Sequence, residues 1–581
     1  MLVNVAVPEM ALNSLTYYSD VDIVAGTRVI VEVGRSLHAG FILGHMEQQP
    51  PKGITIKPIA GVIDESPVID RDIWEMSLWA GRVCMCGAGV ALKALIPKSF
   101  YMGEKFIPPP ENESHHGKFN ERNCFNPFDS ERVNFFVSEL MNPGRALMLF
   151  PTKEQAKSFF VNLPDTLKFE SILWPSNNTP KLWEAWKAVR SRKFRIVIAS
   201  PGGVSAPLMP DKIIVEDESN PAYILPYGLS ISARSMAGYR AKFLNAEFIT
   251  AGRIPSLKTY TRINPRETLR PERKNIIIAD IHASRHEEIP GIKGNIPLTF
   301  SLINHTYKEI AQGHNVMWIL DRIGGASEVI CDNCGKPITC RKCGGAMQSR
   351  NDGMILTCRK CGSIRRMPGK CEYCGYDFLT GNRPGLESLA EIARKYCNDV
   401  SVYGEGVKDS DMRGLIVSTH RGLILCGKIN LGLVAWLDFD AESFGHEHTA
   451  RYNAYSLLYE SYWRGREMNP GRKVLIQAGG RGLKLAGYLS HGWGGFIPNE
   501  IEARREFMLP PFGYAVEIGN ADLKTRDSLM DSFMRAGIFV MDPGDDDMPL
   551  YVNTLTLEPV RKILEPLISI RKSINVKILS E

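Results

Sequence analysis

The chain has 581 residues, 44% hydrophobic and 23% charged, with a formal net charge of +6. That profile excludes a disordered or collagen-like chain and leaves material for roughly three to five domains with real cores. No run approaches the roughly eighteen apolar residues of a membrane span, and the N-terminus lacks the basic start and small-residue cleavage site of a signal peptide. A soluble, cytoplasmic protein with no membrane partner is expected, its mild basicity compatible with a polyanion partner without demanding one.

In chain order, residues 1–100 open with short β-like runs, VNVAVP, TRVIVEV and AGFILGHM, separated by turn signals such as Ala25-Gly26 and Gly34-Arg35. A helical stretch follows, so a small β-rich domain closed by helices is expected. Residues 101–123 lie in a segment rich in Pro, Asn, His and Gly and read as a linker. From 124 to 262 apolar runs (RALMLFP, RIVIAS, KIIVEDES) alternate with amphipathic helices, and the alternation resumes over 263–478 with NIIIADIH, VMWILDRIG, LIVSTH and KVLIQAG. Such alternation predicts two α/β lobes, each a parallel sheet covered on both faces. Residues 479–581 read as a small α+β domain.

Within the second lobe, residues 331–377 carry four CxxC pairs: Cys331/Cys334, Cys340/Cys343, Cys358/Cys361 and Cys371/Cys374. A pair spaced this way places two thiolates on one metal, and two pairs complete a tetrahedral zinc site. Eight cysteines make two sites. The spacing favours nesting, with the outer pairs on one zinc and the inner pairs on the other; pairing of adjacent couples is the other arrangement it allows. A disulfide scaffold is disfavoured, because the chain shows no secretory signal and its other five cysteines are scattered. The same stretch carries nine basic residues against four acids. Arg341, Lys342, Arg359, Lys360, Arg365 and Arg366 are therefore candidate DNA contacts.

Taken together, these residues resemble the PriA family of bacterial primosomal proteins, which restart replication at forks. The segments VNVAVPEMALNSLTYY and GTRVIVEVGRSLHAGFILG look like the family's 3′-DNA-end-binding domain, and the eight-cysteine spacing is the family's own. DRIGGASEVICDNCG, NRPGLESLAEIARKY and FIPNEIEARREFMLPPFGY match its pattern as well. The resemblance implies two RecA-like helicase lobes, an inserted double zinc module and a C-terminal α+β domain. It also implies partners: forked or single-stranded DNA, other primosome proteins, the loader of the replicative helicase and single-stranded-DNA-binding protein.

The departures fall on the motor. Where the family has a glycine loop with lysine, this chain reads NCFNPFDSERV, with Asp129 about where the lysine belongs and Ser130 beside it. An aspartate facing a triphosphate repels it. The family's DEEH reads Glu216-Asp217-Glu218-Ser219, its GTRSA reads Ala199-Ser200-Pro201-Gly202-Gly203, and its SATPS reads Gly252-Arg253-Ile254-Pro255-Ser256. The arginine motif near the end of the second lobe corresponds to ESYWRGRE, with Arg464 and Arg466. Two zinc ions are expected as cofactors and ATP is not; no catalytic residue is assigned. The intervening winged-helix domain of the family has no room in the linker. The reading is a fork-binding pseudo-helicase; the alternatives are an active ATP-dependent 3′-to-5′ helicase and a zinc-dependent protein-interaction scaffold.

Smaller signals have plain explanations. Ala478-Gly479-Gly480-Arg481-Gly482 resembles a phosphate loop without its ending and reads as a turn. Trp183 and Trp186 among the cations from Lys181 to Arg195 read as core with a solvated face. Asp545 to Asp547, the pair His115 and His116, and His446 with His448 read as exposed loops.

Overall fold

The computed structural model describes the chain except residues 9, 11–13, 47–54, 103–117, 176–179, 226–228, 285, 288–297, 321–328, 332–335, 343, 346, 350–354, 359–362, 376–378, 382–385, 405–407, 441–447, 520, 543–548, 570–573 and 580–581. Most of the expected linker, His115, His116, His446 and Asp545 to Asp547 lie outside the described residues.

An antiparallel sheet opens the chain: β1 (Leu2–Ala6), β2 (Leu15–Tyr18), β3 (Arg28–Val33), β4 (Ser36–His45) and β5 (Gly61–Val62), in the order β2-β1-β4-β3-β5. Alternation sends Val3, Val5, Val29 and Val31 into one small core. Two helices follow, α1 (Arg71–Val83) and α2 (Gly87–Leu95). They pack on that sheet, where Ala6 and Phe41 join their core and the Phe41 and Trp74 rings meet at 6.2 Å, and the same core runs on into the next lobe: Ile73, Met76, Ala80 and Leu92 share it with Leu147, Ile213, Val215 and Met236. Arg240 Nε reinforces the junction, donating to Asp72 at 2.6 Å with both groups buried.

The first lobe contains β6 (Asn120–Phe125), α3 (Asp129–Met141), β7 (Ala146–Leu149), α4 (Lys153–Val161), α5 (Asp165–Phe169), β8 (Ser171–Leu173), α6 (Pro180–Arg190), β9 (Ile196–Ala199), β10 (Lys212–Val215), α7 (Ala233–Leu244), β11 (Glu247–Gly252) and α8 (Leu257–Ile263). Its six strands are all parallel, in the order β6-β11-β10-β7-β9-β8. Strands β7 and β9 are buried at every residue, which is why they read as unbroken apolar runs. Helix starts carry their own signals: the hydroxyls of Thr152, Ser232 and Ser256 accept from the backbone three residues on.

The second lobe contains β12 (Ile276–Asp280), a short β13 (His286–Glu287) paired with β14 (Leu298–Thr299), α9 (Phe300–Ala311) and β15 (Asn315–Ile319). After the cysteine-bearing insertion come α10 (Leu386–Ala393), a strand at Val400–Val402, another at Leu415–Ser418, another at Leu431–Trp436, a helix at Ala450–Trp463 and a strand at Lys473–Ala478. The six-stranded sheet is again parallel. Numbered along the chain within each lobe, both sheets have the order 1-6-5-2-4-3. Two copies of one α/β plan thus make up the body, and the insertion leaves the second copy after its second strand.

Residues 480–506 lie beyond the expected lobe boundary at 478, yet Leu485, Leu489, Trp493 and Phe496 complete the second lobe's core beside Tyr455, Tyr459 and Trp436. The terminal antiparallel sheet begins only at Tyr514, its strands ordered Phe539–Met541, Leu550–Thr554, Tyr514–Gly519, Asn575–Leu579. Its helices, Leu523–Arg535 and Leu557–Ser569, contribute Leu529, Phe533, Val560 and Leu564 to a separate core.

Candidate nucleotide cleft and cysteine module

Between the end of β6 and the start of α3 lie three residues, Asn126, Pro127 and Phe128. Asn126 Oδ1 accepts the Phe128 N–H at 2.9 Å, closing a tight turn where an open amide cradle would hold a phosphate. Asp129 is the first residue of α3, where its charge suits the helix dipole. One turn later Arg132, 2% exposed, reaches back under the turn. Its Nε and Nη2 donate to Glu216 Oε1 at 3.0 and 2.9 Å, its Nη2 also to Asp129 Oδ1 at 2.5 Å, and its Nη1 to the carbonyls of Asn126 and Phe128 at 2.6 and 3.2 Å. A guanidinium satisfied on every side fills the base of the cleft.

The acidic tetrad follows β10. Glu216 is held by Arg132; Asp217 sits at φ +51° and accepts from Asn220 Nδ2 at 2.9 Å. Burial raises the Asp217 carboxyl above its ordinary value, with Arg253 opposing. Glu218 is buried, 2.6 Å from Arg234 Nε, and accepts the Ser256 N–H at 2.7 Å. Ser219, in the histidine position, donates to Ile254 O at 3.4 Å. The Ala199–Gly203 stretch turns back on itself with no arginine, and a Cβ on Gly203 would lie 2.2 Å from that of Ala199.

Across the cleft, Arg464 pairs with Glu460 on the same helix, Ser130 bonds the Glu467 carboxylate, and Tyr452 Oη donates to Pro255 O at 2.8 Å. Phe128 meets Trp463 edge-on at 5.4 Å. Arg466 is turned away, stacked 3.8 Å from the Tyr462 ring and donating to Arg472 O. Against a desolvation that would raise it, Arg253, then Arg132 and Arg464, hold the Asp129 carboxyl well below the usual carboxylate range. Its folded-state value lies below the unfolded one, so its stabilisation is present above the unfolded value and is lost as pH falls through the folded one. We expect Asp129→Asn to lower the urea midpoint at neutral pH and the difference from wild type to shrink below about pH 4. Urea titrations at several pH values check this.

Between the two arginines of this motif, Gly465 has φ +62°, and a Cβ there would stand 2.0 Å from Cys426 O. Gly465→Ala should therefore cost about 3 kcal/mol, the upper end for ordinary point mutants. Thermal melting measures it. The Ala478–Gly482 stretch, expected as a plain turn, instead opens a helix, Gly480–Gly487, and Asp440 already accepts the N–H groups of Gly479 and Gly482 at its start. Trp186 is fully buried and Arg190 donates to Val68 O at 2.6 Å, so that helix is packing surface.

In the insertion, β16 (Val329–Cys331) pairs with β20 (Leu379–Gly381), and β17 (Met347–Ser349), β18 (Ile355–Cys358) and β19 (Ile364–Arg366) form a second small sheet. The thiols of Cys331, Cys371 and Cys374 lie within 4.8 Å of one another. They come from the first and last pairs, and their fourth candidate, Cys334, lies outside the described residues. Cys340 and Cys358 are buried together in the module's core, while Cys343 and Cys361 lie outside the described residues. The turns repeat: the N–H of Cys331, Cys340 and Cys358 each donates to the carbonyl five residues on. The N–H of Lys342 and Tyr373 point at the sulfurs of Cys340 and Cys371 at 3.3 and 3.4 Å. Such N–H···S bonds favour thiolates, so the donor set fits a soft divalent metal.

Of the candidate DNA contacts, Arg359 and Lys360 lie outside the described residues. Lys342 and Arg366 are exposed. Arg341 and Arg365 converge on Glu372, at 2.7 Å and, in a fork, at 2.9 and 3.0 Å; these bonds, opposed by desolvation, pull the Glu372 carboxyl down to about 2. Arg365 and Arg366 point to opposite faces of β19, and of the two Arg366 is the exposed one. Sequence reasoning missed Arg132; its place three residues beyond Asp129 was the available signal.

Residues 3–97 match the family model of a 3'DNA-binding domain (3'BD) named for PriA. Replication restart protein PriA of Rickettsia typhi is 23% identical over 459 residues, 75% of this chain and 69% of that one. The Rickettsia prowazekii protein of the same name is 23% identical, covering 74% and 68%. That of Bacillus subtilis is 22% identical over 59% of this chain and 45% of its own. The solved structure of the E. coli DExH-box NTPase HrpB aligns at a TM-score of 0.34 with 9% identity over 64% of this chain and 40% of that one, too low to assign a fold. Among the described residues no helix is long and apolar enough to cross a membrane. With a 3'DNA-binding domain at its start and PriA relatives matching about three quarters of its length, the chain is a relative of the PriA replication restart proteins.

Proposed function

We propose that the chain binds DNA forks and organises primosome assembly as a PriA-type restart factor, without an ATP-driven motor. One observation carries this reading: Arg132 donates to both Asp129 and Glu216 in the space where a helicase of this plan would hold phosphates and magnesium. A triphosphate entering there must break charge-assisted bonds and meet the carboxylates of Asp129, Glu216, Asp217 and Glu460. Fork binding then rests on the 3'DNA-binding domain and the basic face of the cysteine module, where Lys342 and Arg366 stand exposed. Two zinc ions hold that module, the first on Cys331, Cys334, Cys371 and Cys374, the second on Cys340, Cys343, Cys358 and Cys361. Convergence of three of the outer cysteines supports the nested assignment.

Fluorescence anisotropy with a labelled fork, without nucleotide, tests the reading. Affinity should fall steeply with salt, as phosphate contacts release counterions, and should drop on removal of residues 1–100. Equal affinity of the truncated and full chains for a fork would contradict it.

A further inference from the structure

Where α1 of the first domain meets α7 of the first lobe, the surface opens into a cavity of about 290 Å³. Its lining includes the rings of Trp79, Phe119 and Tyr239 and the cations Lys242, Lys258 and Arg262, and among the described residues no carboxylate lines it. Trp79 and Tyr239 stack face to face, centroids 4.6 Å apart and planes 14° from parallel, and both are half-buried. Lys242, exposed on the last turn of α7, places its ammonium 5.6 Å from the Phe119 ring centre. Lys258 Nζ donates to Ser235 Oγ at 2.9 Å, and Arg262 pairs with Glu121.

A stacked pair between two helices is, alone, packing. Arg234 and Arg262 in its wall are paired with Glu218 and Glu121, but packing does not call for an open aromatic hollow with the exposed ammonium of Lys242 at its edge. Rings that can stack on a base beside ammonium groups that can meet flanking phosphates are the recognition chemistry of single-stranded nucleic acid. Duplex bases are stacked inside the helix and cannot enter a concave site. Trp79 moreover lies within the segment matching the 3'DNA-binding domain.

We propose that this cavity takes one nucleotide of a single strand of DNA, its base against the Trp79–Tyr239 platform and its phosphates on Lys242 and Lys258. The inference rests on the DNA-binding reading above and adds the site.

The test uses the full chain and an oligothymidylate carrying one photoreactive 4-thiothymidine. Cross-links should map to Trp79 or Tyr239. Lys242→Glu, a surface change, should weaken single-strand binding about fivefold and reduce the magnitude of the salt slope by about one. Trp79→Leu should weaken it about tenfold, within the range for losing one stacked base. Because that change also loosens α1 against α7, the cross-link on the native chain and Lys242→Glu decide the matter. If the wild type binds the oligonucleotide while Lys242→Glu binds it equally and cross-links map elsewhere, the cavity is overturned and the DNA reading survives. If the wild type binds neither strand nor fork, both fall. Lys242-dependent binding of a poly(Glu,Tyr) peptide, with no effect on the oligonucleotide, overturns the inference in favour of an acidic polypeptide ligand.

Discussion

Asp129→Lys should leave the protein without DNA-stimulated ATP hydrolysis, as should the unaltered chain. A phosphate loop works through converging amides, a lysine spanning the β and γ oxygens and a hydroxyl on magnesium, all arranged to neutralise charge developing on the transferred group. Here the turn has three residues, with no glycine among them, so no amide cradle exists to receive the phosphates. A lysine at 129 would stand beside Arg132 and Arg253, which now share that carboxylate, and would release Arg132 without moving it off Glu216. The substitution should therefore cost stability and return no turnover. A phosphate-release assay with forked DNA measures it; a rate near about one per second, within the ordinary enzyme range, would reverse the reading.

Removing metal should have the other large effect. The insertion's described core is small, Val329, Ile338, Met347 and Leu356 with two cysteines, whereas each lobe has extended apolar clusters of its own. Structural zinc sites in such modules contribute roughly 10–16 kcal/mol, which a core of this size cannot replace. A strong chelator should thus melt residues 331–377 and leave the lobes folded. Hydrogen exchange read by mass spectrometry would show protection lost there and retained in the two parallel sheets. Cys371→Ser should lower bound zinc from about two ions to about one per chain, the loss expected for one four-thiolate site. A preparation containing no zinc and equally protected in this segment would contradict the assignment.

The buried strands β7, β9 and β10 and the alternation around them were legible, because a strand covered on both faces must be apolar throughout. Strand β6 was not. Its sequence Asn-Glu-Arg-Asn-Cys-Phe is that of an edge, with one buried residue, and only its pairing with β11 identifies it. Local patterns also said nothing of further partners: α1 and α2 cover the first sheet as expected but share their core with the next lobe as well, and residues 480–506, which looked like the start of the last domain, complete the core of the lobe just before them. At the cleft, the loss of glycine and lysine was visible, whereas the Arg132–Glu216 bond spans 84 positions and no periodicity reports it. The cysteine pairs were legible because the metal geometry is written into a two-residue spacing.

The most direct test of the central claim is equilibrium binding of a fluorescent ATP analogue with magnesium to the full chain on a saturating fork. The account predicts no saturable binding up to millimolar nucleotide and a fork affinity unchanged by it. Binding in the micromolar range, abolished by excess ATP and shifting the fork affinity, would show that the cleft admits a nucleotide and would contradict the account.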